Sequence, residues 1–282
     1  MKRGTILINA YATSESELYS AKRLKEELDA LGIQTEIKRN VLVSRLDTDF
    51  CIYLDKDKYA GELLEKSGLR LFNRPEAIAD CDDKMRTYMR LDGFPMPDTL
   101  AGPLCYLPNE PVKEELLSGV ISRLGLPVVV KECFGSLGKG VYKADTKEEL
   151  REIAEQVKCK PHLFQKFIAG SAGRDVRVIV IGGKVFSAMQ RSSQTDFRSN
   201  VELGGKGEKY ELDRDGITLC EAVARRLNLN YCGIDLLFGE DGYLVCEVNS
   251  NAFFGGMERV TGLNVARAYA EYIINEIYGG NV

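Results

Sequence analysis

The stretch GIDLLFGEDGYLVCEVNSN, residues 233 to 251, constrains the chain most. Gly239, Glu240, Asp241 and Gly242 are a tight-turn signal between two apolar runs, so the segment reads as two short antiparallel strands. Ile234, Leu236 and Phe238 alternate as the apolar set of the first strand, which puts Asp235 on its polar side. On the second strand Glu247 and Asn249 share one face, and Leu244, Cys246 and Val248 share the other. A three-residue loop, 240–242, pairs Asp235 with Glu247. A two-residue turn slips the register by one and sends the two carboxylates to opposite faces. In the first register Asp235, Glu247 and Asn249 gather hard oxygens, a set that suits Mg²⁺ with its remaining ligands from water and phosphate. A charged surface hairpin gives the same alternation, so the segment needs support from the rest of the chain.

Several function classes fall away. A net charge of −4 and a pI near 5.4 provide no basic field for nucleic acid. The single histidine, His162, expected in a loop beside Pro161 as a structural or exposed residue, excludes a His-based triad and a multi-His zinc site. No apolar run approaches the roughly 20 residues of a membrane span, and the start has too short an apolar core for a secretory signal. The eight scattered cysteines form no C-x-x-C pair and read as reduced core residues of a cytoplasmic protein.

Taken in order, GTILI (4–8) reads as a buried parallel strand, and residues 15 to 31 as a helix with apolar positions 18, 21, 24, 28 and 31. Strands at IQTEI, 49–57 and 69–73, with a helix at 59–66, complete a small parallel α/β domain over about 1 to 75. It has no G-x-G-x-x-G. Helical patterns follow from Pro75 and around Lys84. The prolines at 95, 97, 103 and 108 then mark a linker and a lobe boundary.

LPVVVKECFGSLGKGVYKADT (126–146) is a strand ending in Lys131, a loop with glycines at 135, 138 and 140, and a second strand. It is no P-loop, which needs G-K-[ST] and a following helix. Either it is an ordinary glycine hairpin, or its backbone N–H groups close over phosphates with Lys131 reaching from the strand. A helix at 146–157, a strand at 163–170, a hairpin about Gly182 and Gly183, a polar loop at 192–208 and helices at 213–227 and 264–279 account for the rest. Phe253 and Phe254 read equally as a substrate wall or as core.

These pieces together resemble the ATP-grasp superfamily, and within it the RimK-type carboxylate–amine ligases. The resemblance rests on LYSAKRL (18–24), NRPEAI (73–78), DK (83–84), VVVK with the glycine loop (128–140), GRDVRV (173–178), DFRSN (196–200), GIDLL (233–237) and EVNSN (247–251), in collinear order. It implies an α/β ATP-grasp fold of three lobes: a Rossmann-like N-terminal domain (1–80), a central lid lobe with the glycine loop (81–164), and a C-terminal lobe with the metal site (165–282). Carried over residue by residue, Lys84 and Lys131 contact ATP phosphates beneath Gly135, Ser136, Gly138 and Gly140. Lys166 and Phe167 sit at the adenine hinge and Asp175 near the nucleotide sugar. Arg177, Arg191, Arg198, Ser199 and Asn200 hold phosphate and substrate carboxylate. Asp235, Glu247 and Asn249 hold two Mg²⁺ (or Mn²⁺) ions.

The implied chemistry is phosphorylation of a carboxylate by ATP, followed by attack of an amine on the acyl phosphate. The expected substrates are an amino acid, glutamate or a relative such as α-aminoadipate, and an amine-bearing protein, peptide or small molecule. The expected assembly is a homo-oligomer, a dimer or a tetramer. A nucleotide-binding regulatory protein on the same fold is the alternative, and an adenylate-forming ligase a third reading that predicts AMP as product.

Overall fold

The computed structural model describes residues 2–136, 138–199 and 206–279, and Asn200 therefore lies outside the described residues. The chain opens with β1 (Arg3–Ile8), α1 (Glu15–Ala30), β2 (Gln34–Arg39), β3 (Phe50–Leu54), α2 (Lys58–Lys66) and β4 (Arg70–Phe72). These four strands form one parallel sheet in the order β2-β1-β3-β4. Ser14 caps α1 by accepting from Glu17 N–H, and Gly32 leaves the helix end with positive φ.

Next come α3 (Pro75–Asp82), α4 (Lys84–Arg90), β5 (Thr99–Ala101), α5 (Glu114–Leu124), β6 (Val128–Glu132), β7 (Val141–Ala144), α6 (Lys147–Val157) and β8 (His162–Lys166). Thr146 and Glu149 form a reciprocal capping box at the start of α6. The second sheet is antiparallel, in the order β5-β8-β6-β7, with α5 and α6 packed on one face around Val128, Val130 and Phe164. The proline-rich passage expected to be pure linker thus hides a strand. Thr99–Ala101 lies between Pro97 and Pro103 and pairs with β8 at an edge, where missing N–H donors are tolerated. His162 is also corrected: it is neither exposed nor in a loop, but buried at the start of β8 with Nδ1 2.8 Å from the Lys160 carbonyl.

The third sheet contains β9 (Arg174–Ile181), β10 (Lys184–Ser192), β11 (Lys206–Lys209), β12 (Tyr231–Gly239) and β13 (Gly242–Asn249), in the order β11-β10-β9-β12-β13. α7 (Arg214–Arg226) covers one face, packing Cys220 and Val223 against Val178, Ile234 and Val248. α8 (Gly255–Thr261) and α9 (Val265–Tyr278) cross back to the first sheet, so Tyr269, Ile273 and Tyr231 share a core with α1 and β1. Tyr231 and Tyr269 stack at 4.7 Å between ring centroids. Each such fully buried large side chain contributes about 1.5–3 kcal/mol.

The decisive hairpin is built differently from the expected one. Gly239 pairs with Gly242, so the turn has two residues, Glu240 and Asp241. Continued regularly, that register would place the carboxylates on opposite faces. A β-bulge at Cys246 intervenes: Leu236 pairs with Val245, and Asp235 then pairs with Glu247. The extra residue also revises the apolar face, which is Val245 and Val248 against the α7 core, while Cys246 turns with Glu247 toward the cleft.

Candidate functional site

The cleft lies between the second and third sheets. Lys131 is the last residue of the apolar run of β6 and is buried, yet its ammonium meets only Cys246 Sγ, at 3.6 Å, and no carboxylate among the described residues. Burial pushes the Cys246 thiol up, against the opposing pull of Lys131, so this neighbour stays neutral at pH 7. A buried cation without an anion costs several kcal/mol unless a ligand supplies one. The same cavity is lined by Lys84, Gly135, Ser136, Gly138, Lys166, Phe167, Asp175, Arg191, Arg198, Ser199, Asp235 and Glu247. Val129, Leu237 and Phe197 add apolar lining beside Phe167. Phe167 stands edge-on to Phe197 at 6.4 Å, with Lys143 Nζ 5.3 Å from its ring centre.

The glycine loop is held from three sides. Lys84 Nζ donates to the Gly135 carbonyl at 2.9 Å, and Arg198 Nη1 to the Gly138 carbonyl at 2.7 Å. Lys56 Nζ reaches Ser136 Oγ at 3.0 Å from the first sheet while pairing with Asp82. Gly135 and Gly138 have positive φ, which no β-branched residue would adopt cheaply. Gly140 is not brought to the cavity lining. It closes the hairpin by accepting from Glu132 N–H at 2.8 Å, and a Cβ there would press on the Glu132 side chain. Lys56 is a residue that sequence reasoning missed: a lysine in a charged loop has no signal of its own.

Four charges form a buried cluster on β9, β10 and β12. Arg191 grips Asp175 with two hydrogen bonds of 2.7 and 2.6 Å, and its Nη2 also lies 3.0 Å from Asp235 Oδ2. Arg177 takes both oxygens of Asp235, with Nη2 to Oδ2 at 2.8 Å. Burial pushes the Asp235 carboxyl up, but the two guanidiniums outweigh it and hold the group below its ordinary value. Asp235 was expected as a metal ligand; here its oxygens are engaged by arginines. Asp175, expected near the nucleotide sugar, likewise has both oxygens on Arg191. Arg177 and Asn249 line a second cavity of about 710 Å³ that adjoins the first and shares Gly135, Ser136, Arg191 and Glu247 with it.

The donor set for a divalent ion is therefore uneven. The Glu247 carboxylate accepts no hydrogen bond among the described residues and stands 3.9 Å from Lys84 Nζ. Asn249 has a buried amide nitrogen without a partner among the described residues. Its side chain is thus uncommitted beside Glu247, which pairs across the ladder with Asp235. Among the described residues no three acidic, histidine or cysteine groups converge as a closed metal cage. An open set of this kind fits Mg²⁺, which keeps water and phosphate oxygens among its ligands. The residues fit, provided Asp235 shares its oxygens with the guanidiniums.

Comparison with known proteins agrees with this geometry. A family model described as the RimK-like ATP-grasp domain matches residues 100–273. N-acetylaspartylglutamate synthase A of Homo sapiens is 38% identical over 256 residues, covering 87% of this chain and 63% of that protein, so the chain spans about three-fifths of that relative's length. A probable alpha-L-glutamate ligase of Psychromonas ingrahamii is 32% identical, covering 91% of each. Among solved structures, a RimK domain ATP-grasp protein from Sphaerobacter thermophilus has the same fold, with a TM-score of 0.73 over 96% of this chain and 98% of that one at 21% identity. The chain belongs to the RimK-like ATP-grasp family.

Proposed function

We propose that the protein is an ATP-dependent carboxylate–amine ligase that joins glutamate, or a close relative, to a partner through an amide bond. The observation that carries this reading is Lys131, buried with no carboxylate partner among the described residues, facing a cavity in which Lys84 and Arg198 hold a glycine loop. ATP fits between the second and third sheets, with Lys131 and Lys84 at its phosphates and Phe167 at its base. The lobes then divide near residues 80 and 166, since β8 runs past 164 to Lys166.

In the first step a substrate carboxylate oxygen attacks the γ-phosphorus, the bond to the β-phosphate oxygen breaks, and ADP leaves. In the second step the amine nitrogen attacks the acyl carbon, the C–O bond to phosphate breaks, and the amine gives up a proton. Two Mg²⁺ ions, held by Glu247, Asn249 and Asp235, would neutralise charge on the phosphates. The side chains position reactants and stabilise charge: Arg191 lines both cavities, beside the site where phosphate leaves the nucleotide. The N-acetylaspartyl group in the human relative's name holds no free amine, which favours glutamate as the amine partner. The eight free cysteines support a cytoplasmic setting, and among the described residues no helix is long and apolar enough to cross a membrane. A homo-oligomer, dimer or tetramer, completes the reading.

The test is nucleotide product analysis with Mg-ATP, L-glutamate and a panel of carboxylic acids. ADP and phosphate formed only when both partners are present supports the ligase. AMP points to adenylation instead. Tight ATP binding without turnover across the panel favours a nucleotide-binding regulator.

A further inference from the structure

Eight cysteines were expected in the core, and two are not there. Cys51, Cys81, Cys133, Cys220 and Cys232 are buried, and Cys246 turns toward the nucleotide cleft. Burial pushes all six of these thiols up, which makes them poor nucleophiles at pH 7. Cys105 and Cys159 differ. Cys105 is half-buried in the passage after β5, and Cys159 is exposed in the turn between α6 and β8.

The fold brings these two together. β5 and β8 pair antiparallel, with Thr99 opposite Gln165, Leu100 opposite Phe164 and Ala101 opposite Leu163. The Gly102 N–H extends the ladder to the His162 carbonyl at 2.9 Å, and past Pro103 the Cys105 N–H donates to the Lys158 carbonyl at 2.8 Å. Continued regularly, the register of β5 and β8 sets Cys105 opposite Cys159. The last hydrogen bond is the tighter constraint, because the Lys158 carbonyl belongs to the peptide group that leads into Cys159. One planar peptide and one hydrogen bond hold the two α-carbons within about 6.5 Å of each other. Disulfides span α-carbon separations of about 4.4–6.8 Å. Lys158 is near both sulfurs: its ammonium is raised first by its hydrogen bond to Glu155, and further by Cys105 and Cys159. The Cys105 thiol has one weak tie, to the Leu107 carbonyl at 3.1 Å. The turn that carries Cys159 is fastened to the root of the glycine loop. There the Cys133 N–H donates to the Pro161 carbonyl at 2.8 Å, and Lys160 pairs with Glu132 at 2.8 Å.

We propose that Cys105 and Cys159 are a reversible dithiol–disulfide pair that staples the lobe carrying the glycine loop, with a low-molecular-weight disulfide as the oxidant. The exposed Cys159 thiolate attacks one sulfur of the oxidant, whose S–S bond breaks and releases one thiolate. The Cys105 thiolate then attacks the Cys159 sulfur of the mixed disulfide, and the second thiolate leaves. The two protein sulfurs together lose two electrons, the oxidant is reduced to two thiols, and the two protein protons pass through solvent to them. The closed loop holds α5, β6, the glycine loop, β7 and α6, so the cross-link restricts a long stretch of the unfolded chain.

The test is incubation of the folded protein with oxidised glutathione, without denaturant, for wild type, Cys105→Ser and Cys159→Ser. Peptide mass spectrometry and thermal melting are the readouts. Wild type should yield one peptide pair joined through Cys105 and Cys159, released again by dithiothreitol. Cys105→Ser should stop at a glutathione adduct on Cys159. Oxidation should raise the melting temperature of wild type by about 5 °C and leave that of both variants unchanged. Glutathione adducts on wild type without the internal cross-link overturn the proposal, as does no reaction at all. A cross-link between two chains, or to one of the six other cysteines, overturns it too. So does an internal cross-link that lowers the melting temperature, since the folded chain would then have to distort to form it. The cross-link and its melting shift are read on wild type, so a serine variant that fails to fold still leaves the outcome decided.

Discussion

Glu247 and Asp235 are cross-strand partners with different duties. Glu247 has only a long 3.9 Å ion pair with Lys84 to lose among the described residues, so Glu247→Ala should cut turnover by a factor of about 100 or more while leaving the melting temperature near that of wild type. Normal ATP turnover in that variant would overturn the metal role proposed for Glu247. Asp235 stands between two buried guanidiniums, and removing one member of such a cluster costs about 3–5 kcal/mol. Asp235→Asn should therefore lose both turnover and stability by urea denaturation. Intact stability would mean that Arg177 and Arg191 find other partners. These carboxylates were legible only together with the collinear motifs elsewhere in the chain, since a charged surface hairpin shows the same alternation. The guanidinium partners were not: Arg177 lies 58 residues from Asp235, and only the pairing of β9 with β12 brings them together.

At the scale of elements, alternation correctly put both carboxylates on one face, but by the wrong turn. A two-residue turn and a bulge at Cys246 have the same net effect as a three-residue loop, and no local pattern separates the two. β5 was hidden because prolines flank it, and α5 because its apolar positions lie in a passage that reads as boundary. His162 shows the converse, a polar residue that the fold buries. Burial lowers its pKa below the usual 6.5. The unfolded chain then binds a proton near pH 6.5 that the folded chain refuses, so stability is fully present above that pH and falls below it. Wild type should lose stability between pH 7 and 5.5 more steeply than His162→Gln, as measured by denaturation midpoints. Parallel curves would show that the imidazole is protonated in the folded state.

The whole molecule is joined by contacts remote in sequence. Asn73, at the end of the first sheet, donates to the Tyr231 and Ser250 carbonyls at 2.7 and 2.9 Å and accepts from the N–H groups of Asn230 and Tyr231 at 2.7 and 3.1 Å. One buried amide thereby fixes the first sheet to both ends of the site-bearing hairpin. Asn73→Ala strands these backbone groups and should cost about 3 kcal/mol or more, at roughly 1–3 kcal/mol for each buried unsatisfied group. A loss below 1 kcal/mol in urea denaturation would show that the sheets are held chiefly by the α1–α9 core. What this assembly does with ATP can be followed through oxygen. With ¹⁸O in the carboxylate of the acyl substrate, Mg-ATP and L-glutamate, an acyl phosphate transfers one labelled oxygen to inorganic phosphate as the amide forms. Label in phosphate, with unlabelled ADP, is the predicted result; label in AMP, or amide formation with none in phosphate, contradicts it.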